Sequence, residues 1–121
     1  VQASVSFLRN ASNPRIINIS SRLGSMAKME SGEFAGRNFS YSYRMAKAAQ
    51  NMFSICLSQE LFNQNISVCA IHPGQLLTRG RSSDADMEPA EAASHIYEYI
   101  KTLTIEGTGQ FIQPQKGKLP W

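Results

Sequence analysis

The stretch RIINISS, residues 15–21, reads as a buried strand that ends in a pair of hydroxyls. Ile16, Ile17 and Ile19 form a nearly continuous apolar run, the pattern of a strand covered on both faces. A second such run, ISVCAIH at 66–72, is rich in β-branched and small residues, and Pro73-Gly74 stops it abruptly. Between the two, positions 42–62 follow a helical period through Met45, Ala49, Met52, Phe53, Leu57 and Leu61, with Ala46, Ala48 and Ala49 favouring helix. Another helix is predicted over 89–103, opened by Glu88-Pro89 and carrying Ala92, Ile96, Tyr99, Ile100 and Leu103 on its apolar face. After a turn bracketed by Gly107 and Gly109, GQFIQP at 109–114 gives a short last strand. At the other end, Val1, Val5, Phe7 and Leu8 fit the tail of a helix, and 10–14 form a polar break.

Strand, helix, strand, helix, strand is the alternation of an α/β fold with a parallel sheet. Right-handed crossovers would cover the sheet faces with helices and set the loops after each strand along one edge. Ligands of such sheets bind beyond the carboxyl ends of the strands. Ser20-Ser21 and Pro73-Gly74 both fall there. The stretch 22–40 has three glycines and no sustained period, so it reads as a long loop of the functional kind.

Composition narrows the class. A chain of 121 residues is one domain at most, or part of one, and 42% hydrophobic with 17% charged residues is ordinary for a globular protein. The net charge of +3 is weak, and Arg79 with Arg81 is the only tight basic pair, too little for a nucleic-acid footprint. No apolar run approaches the roughly 18 residues of a membrane span. The two cysteines, Cys56 and Cys69, sit in apolar patterns without a CxxC or a Cys/His cluster, which argues against a metal site and for buried free thiols in a cytoplasmic protein. Asp84, Asp86 and Glu88 lack the glycine turn and closing glutamate of a cation loop. His72 and His95 read as a packing residue and an exposed one.

The chemistry lies in YSYRMAK, residues 41–47, where Tyr43 and Lys47 stand four apart and so share a helix face. A free phenol has a pKa near ~10, and a neighbouring ammonium favours its ionised form. Tyr41 has Met45 at the same spacing and no such partner. A serine at the end of the 15–21 strand reaches the same region, so hydroxyl, phenol and ammonium together form a proton-delivery device. With four tyrosines in the chain, the Tyr-x-x-x-Lys pair alone is a weak signal.

NISSRLGS, YSYRMAK and HPGQLLT occur in an order that resembles the short-chain dehydrogenase/reductase family. The resemblance implies the C-terminal portion of a Rossmann-type doubly wound parallel sheet, here with three strands and about three helices. It assigns Ser21 as the catalytic serine, Tyr43 as proton donor and Lys47 as the lysine that also holds the nicotinamide ribose. Pro73, Gly74, Leu76 and Thr78 match the family's PGxxxT segment, which holds the nicotinamide carboxamide. The closing run, with its terminal GK-x-PW, resembles the C-factor and sniffer-type carbonyl reductase branch. That branch implies NADPH over NAD and a small carbonyl or alcohol substrate. The family's glycine-rich phosphate loop and its tetrad asparagine are not in this sequence, so the chain is expected to be the C-terminal half of a larger enzyme. The serine-to-tyrosine spacing is about nine residues longer than the common family pattern. Two readings of 26–40 stay open, a substrate flap or a shield over the tyrosine-lysine helix, through which the family often forms homo-oligomers. Two other functions also stay open: a cofactor-binding signalling or scaffold protein, and an inactive truncated product.

Overall fold

The computed structural model describes residues 1–78 and 85–121. Four α-helices, α1 (Gln2–Leu8), α2 (Met26–Glu30), α3 (Tyr41–Glu60) and α4 (Pro89–Thr102), accompany strands β1 (Arg15–Ile19), β2 (Ser67–Ile71), β3 (Gln110–Gln113) and β4 (Gly117–Lys118). The sheet order is β1-β2-β3-β4, the first three parallel and the last antiparallel. The mixed α/β class follows the sequence pattern, and the two-residue β4 adds a fourth strand to the three expected.

The period of two in the strands distributes the core. Ile16 pairs with Val68 and Ile17 with Cys69. Val68 lies with Leu57, Leu61 and Ile66, and Ile16 with Val5 and Leu8 of α1 packs on that cluster. Cys69, Ile71, Leu103 and Ile112 form the opposite cluster, under Ile17 and under Ile96 and Tyr99 of α4. β2 is thus buried throughout, as its apolar run predicted. Each such Val or Ile removed from water contributes about 1.5–3 kcal/mol. Since α3 and α4 cover opposite faces while the strands step in one direction, the two crossovers have opposite hands. One of them departs from the right-handed rule expected from the sequence.

The apolar period of α3 turns inward only at Leu57 and Leu61; its earlier positions point outward, contrary to the expectation. Met45, Met52 and Phe53 are exposed, and Cys56 is exposed rather than buried. The buried residues of this helix are Asn51, Ser54, Leu57 and Ser58. Near the amino end, Phe7 and Val1 are exposed as well, leaving Val5 and Leu8 as the inward residues of α1. His95 is half-buried, not exposed.

The long 22–40 loop is structured. Residues Arg22–Gly24 form a 3-10 turn, and Ser25 Oγ accepts the Lys28 N–H to cap α2 at 3.1 Å. Phe34 is 1% exposed and anchors the remainder. The Arg44 guanidinium of α3 lies over its ring, 4.8 Å from the centroid. At the carboxyl end, Trp121 stacks on Phe111 at 5.3 Å and accepts the Ala27 N–H at 2.8 Å. Ser25 Oγ also donates to the Pro120 carbonyl at 2.8 Å. The end of the chain therefore braces the start of the inserted segment.

Candidate active site

The serine pair is placed by continuation of the sheet. Ser20 N–H donates to the Ile71 carbonyl at 2.7 Å, one step beyond β1. Its Oγ donates to Asn51 Oδ1 at 2.6 Å, while Asn51 Nδ2 donates to the Gly24 carbonyl at 3.2 Å. Ser21 is held between these two tethers in an extended conformation, and its Oγ accepts the Leu23 N–H at 3.2 Å. That bond uses a lone pair and leaves the hydroxyl proton for an acceptor in the cleft.

The approach of this turn to α3 depends on Gly24. A Cβ there would stand 2.7 Å from the Lys47 carbonyl carbon and 2.9 Å from the Ala48 nitrogen. Lys47 Nζ donates to the Ile19 carbonyl at 2.8 Å and to Gln50 Oε1 at 3.0 Å. It sits 5.9 Å from the Tyr43 ring centre. An ammonium has three protons, so one remains for a further acceptor. Together with Asn18 Nδ2 donating to Ser54 Oγ at 2.8 Å, these bonds make a polar seam between α3 and the end of β1. Positions 47, 51 and 54 recur at helical spacing, so the seam is one face of the helix.

The end of β2 supplies the facing wall. His72 N–H continues the ladder to the Ile112 carbonyl at 2.8 Å. Gly74 has φ +106°, in the left-handed region that glycine adopts freely, and turns the chain across the cleft. Leu76 pairs with Met87 as an isolated bridge, and Leu77 N–H donates to the Met87 carbonyl at 2.8 Å, fixing the following segment.

A cleft of about 350 Å³ opens between these walls. Of the residues expected from the sequence, Ser21, Tyr43, Pro73, Gly74, Leu76 and Thr78 line it. Lys47 stands behind Tyr43, against β1. Ser20, Arg22, Leu23, Arg37, His72 and Gln75 complete the lining. Residues 79–84, with Arg79, Arg81 and Asp84, lie outside the described residues.

Arg37 was not legible as a site residue, because the aperiodic insertion gives no sign of which side chain turns inward. His72 was read as a packing residue. It is 5% exposed, and neither ring nitrogen has a hydrogen-bond partner. Burial, then the positive charges of Arg22, Lys116 and Lys28, push its pKa down to about 4.

The sequence model described as short chain dehydrogenase matches residues 1–89. The chain belongs to the short chain dehydrogenase family. It is 30% identical over 114 residues to the C-signal of Myxococcus xanthus, covering 94% of this chain and 65% of that protein. It is 32% identical over 107 residues to 1-hydroxy-2-glutathionyl-2-methyl-3-butene dehydrogenase of a Rhodococcus strain, covering 85% of this chain and 45% of that one. The fold superposes on carbonyl reductase Sniffer of D. melanogaster with a TM-score of 0.83 at 28% identity, over 99% of this chain and 50% of that chain. The NADPH-bound carbonyl reductase from chicken fatty liver gives a TM-score of 0.82 at 26% identity, over 99% and 50%. The chain therefore spans about half the length of these structures.

Proposed function

We propose that residues 1–121 are the substrate-side half of an NAD(P)-dependent oxidoreductase that interconverts a carbonyl and an alcohol, with NADPH the favoured cofactor. The observation that carries this reading is the convergence of Ser21, Tyr43 and the 73–78 segment on one cleft, with the Lys47 ammonium behind the phenol. The donor set suits a nicotinamide and its ribose: Lys47 has an uncommitted proton, and Pro73, Gly74, Leu76 and Thr78 offer backbone groups and a hydroxyl beside it. When bound, the reduced dinucleotide supplies the hydride to the carbonyl carbon.

In that reaction the Tyr43 hydroxyl gives its proton to the oxygen of the substrate, which leaves as alcohol, and the phenolate regains a proton from solvent. Ser21 donates a hydrogen bond to the same oxygen as negative charge builds on it. Lys47 lowers the cost of the transient phenolate. The phosphate-binding half of the enzyme would come from residues outside 1–121. A cytoplasmic location goes with this reading; among the described residues no helix is long and apolar enough to cross a membrane.

In the enzyme carrying both halves, Tyr43→Phe should lower kcat for an aldehyde by at least ~10² while leaving the NADPH Kd within about twofold, read by stopped-flow and calorimetry. Lys47→Ala should weaken both. A Tyr43→Phe variant with near-normal turnover would remove the proton-donor role. The likeness to the C-signal favours a second reading, a signalling protein of the same fold. NADPH binding without turnover of any aldehyde, ketone or quinone would select it.

A further inference from the structure

We propose that the cleft takes substrates bearing an anionic group, a carboxylate being the simplest, and that Arg37 and Arg22 recognise it. This rests on the oxidoreductase reading and names the substrate class for that site. Arg22 follows the candidate serine directly, and Arg37 reaches the same lining from the inserted segment. No Asp or Glu stands among the described lining residues.

The insertion is built to hold Arg37 there. Phe34 is buried under Arg44 and Arg22, and the Arg37 N–H donates to the Phe34 carbonyl at 3.2 Å, one turn on. The nearby carboxylate, Glu33, is bound by Lys28 at 2.6 Å and is 3.8 Å from Arg22. Burial, then the positive charges of Arg22, Lys116 and Lys28, keep His72 neutral at this end. Both guanidiniums also interact within the protein. Each has five N–H donors in a planar fork, which can serve an internal acceptor and a carboxylate together. Charge-assisted pairs of this kind are roughly twice as strong as neutral hydrogen bonds, so the anion sets selectivity while Tyr43 and Ser21 address the carbonyl.

The test uses the full enzyme with NADPH at saturation and two aldehydes differing only in charge, 4-carboxybenzaldehyde and its methyl ester. The acid should have a kcat/KM at least about tenfold above the ester. Arg37→Gln should bring that ratio near one by raising the KM of the acid, and Arg22→Gln should lower it as well. Equal kcat/KM for acid and ester in the unaltered enzyme, or a ratio that neither substitution moves, overturns the proposal. So does a fall in NADPH affinity on Arg37→Gln with the ratio intact, since the charge would then serve a dinucleotide phosphate. Calorimetric titration with benzoate separates this from the reading beneath it. Benzoate binding that weakens about tenfold in Arg37→Gln supports the anion site even if neither aldehyde turns over. Ester reduction without benzoate binding removes the anion site and leaves the oxidoreductase standing.

Discussion

Two single residues tie chemistry to stability. His72 ends β2 with both nitrogens buried, and its folded pKa is lowered to about 4 from 6.5. The unfolded chain therefore binds the extra proton first. Stability from this residue is complete above pH ~6.5 and is lost as pH falls toward 4, by on the order of 3 kcal/mol. Arg22, Lys28 and Lys116 face the ring and add to the cost of protonation. Urea unfolding across that pH window should show the slope, and His72→Asn should flatten it. Gly24 is the second case. Its neighbours on α3 are backbone atoms of Lys47 and Ala48 and the Lys47 Cβ fixed to them, which cannot step aside as the far end of a flexible side chain can. Gly24→Ala should cost about 1–3 kcal/mol and lower kcat, because relief of the clash shifts the turn that carries Ser21. Unchanged stability in urea would show that the turn yields freely.

At the level of elements, the long helix shows why part of the site could be read from the sequence and part could not. Ser21, Tyr43 and Lys47 were legible since each is marked by its place after a strand or by its spacing on a helix. The orientation of α3 was not. Hydrophobic period assumes that the buried side is the apolar one, yet here the helix packs against the polar end of β1, through Asn18, the Ile19 carbonyl and Ser20. Asn51 is 3% exposed and bridges Ser20 and Gly24 on either side of Ser21. Asn51→Ala leaves a buried carbonyl and hydroxyl without partners, at about 1–3 kcal/mol. As a positioning residue it should also lower kcat more than it raises KM, with Asn51→Asp restoring less than half of the loss because it cannot donate to Gly24. Equal effects on a remote ligand's binding and on kcat would reduce it to a purely structural role. The inserted segment was legible only as an interruption, and its inner ordering depends on Phe34, whose partners lie in distant sequence.

At the scale of the whole molecule, the described sheet runs from β1 at one edge to β4 at the other. Among the described residues no strand adjoins the outer edge of β1, and the chain spans 50% of the Sniffer reductase it superposes on. Three strands in parallel and the half of the cleft lining that follows a strand end or a helical spacing were recognisable because each repeats a local rule, but the opposed hands of the two crossovers depend on packing that no local pattern records. Residues 1–121 expressed on their own should bind no dinucleotide tightly, since the cleft addresses one end of such a ligand. Saturable micromolar binding in calorimetry would contradict this. Trp121 also has a reach beyond its own neighbourhood: its backbone oxygen accepts from the Ala27 N–H and from Ser25 Oγ, and so steadies the stretch that carries Arg37. Trp121→Ala, which removes the stack on Phe111 that seats this residue, would then be felt first as blurred discrimination between acid and ester, with reduction of the uncharged aldehyde surviving.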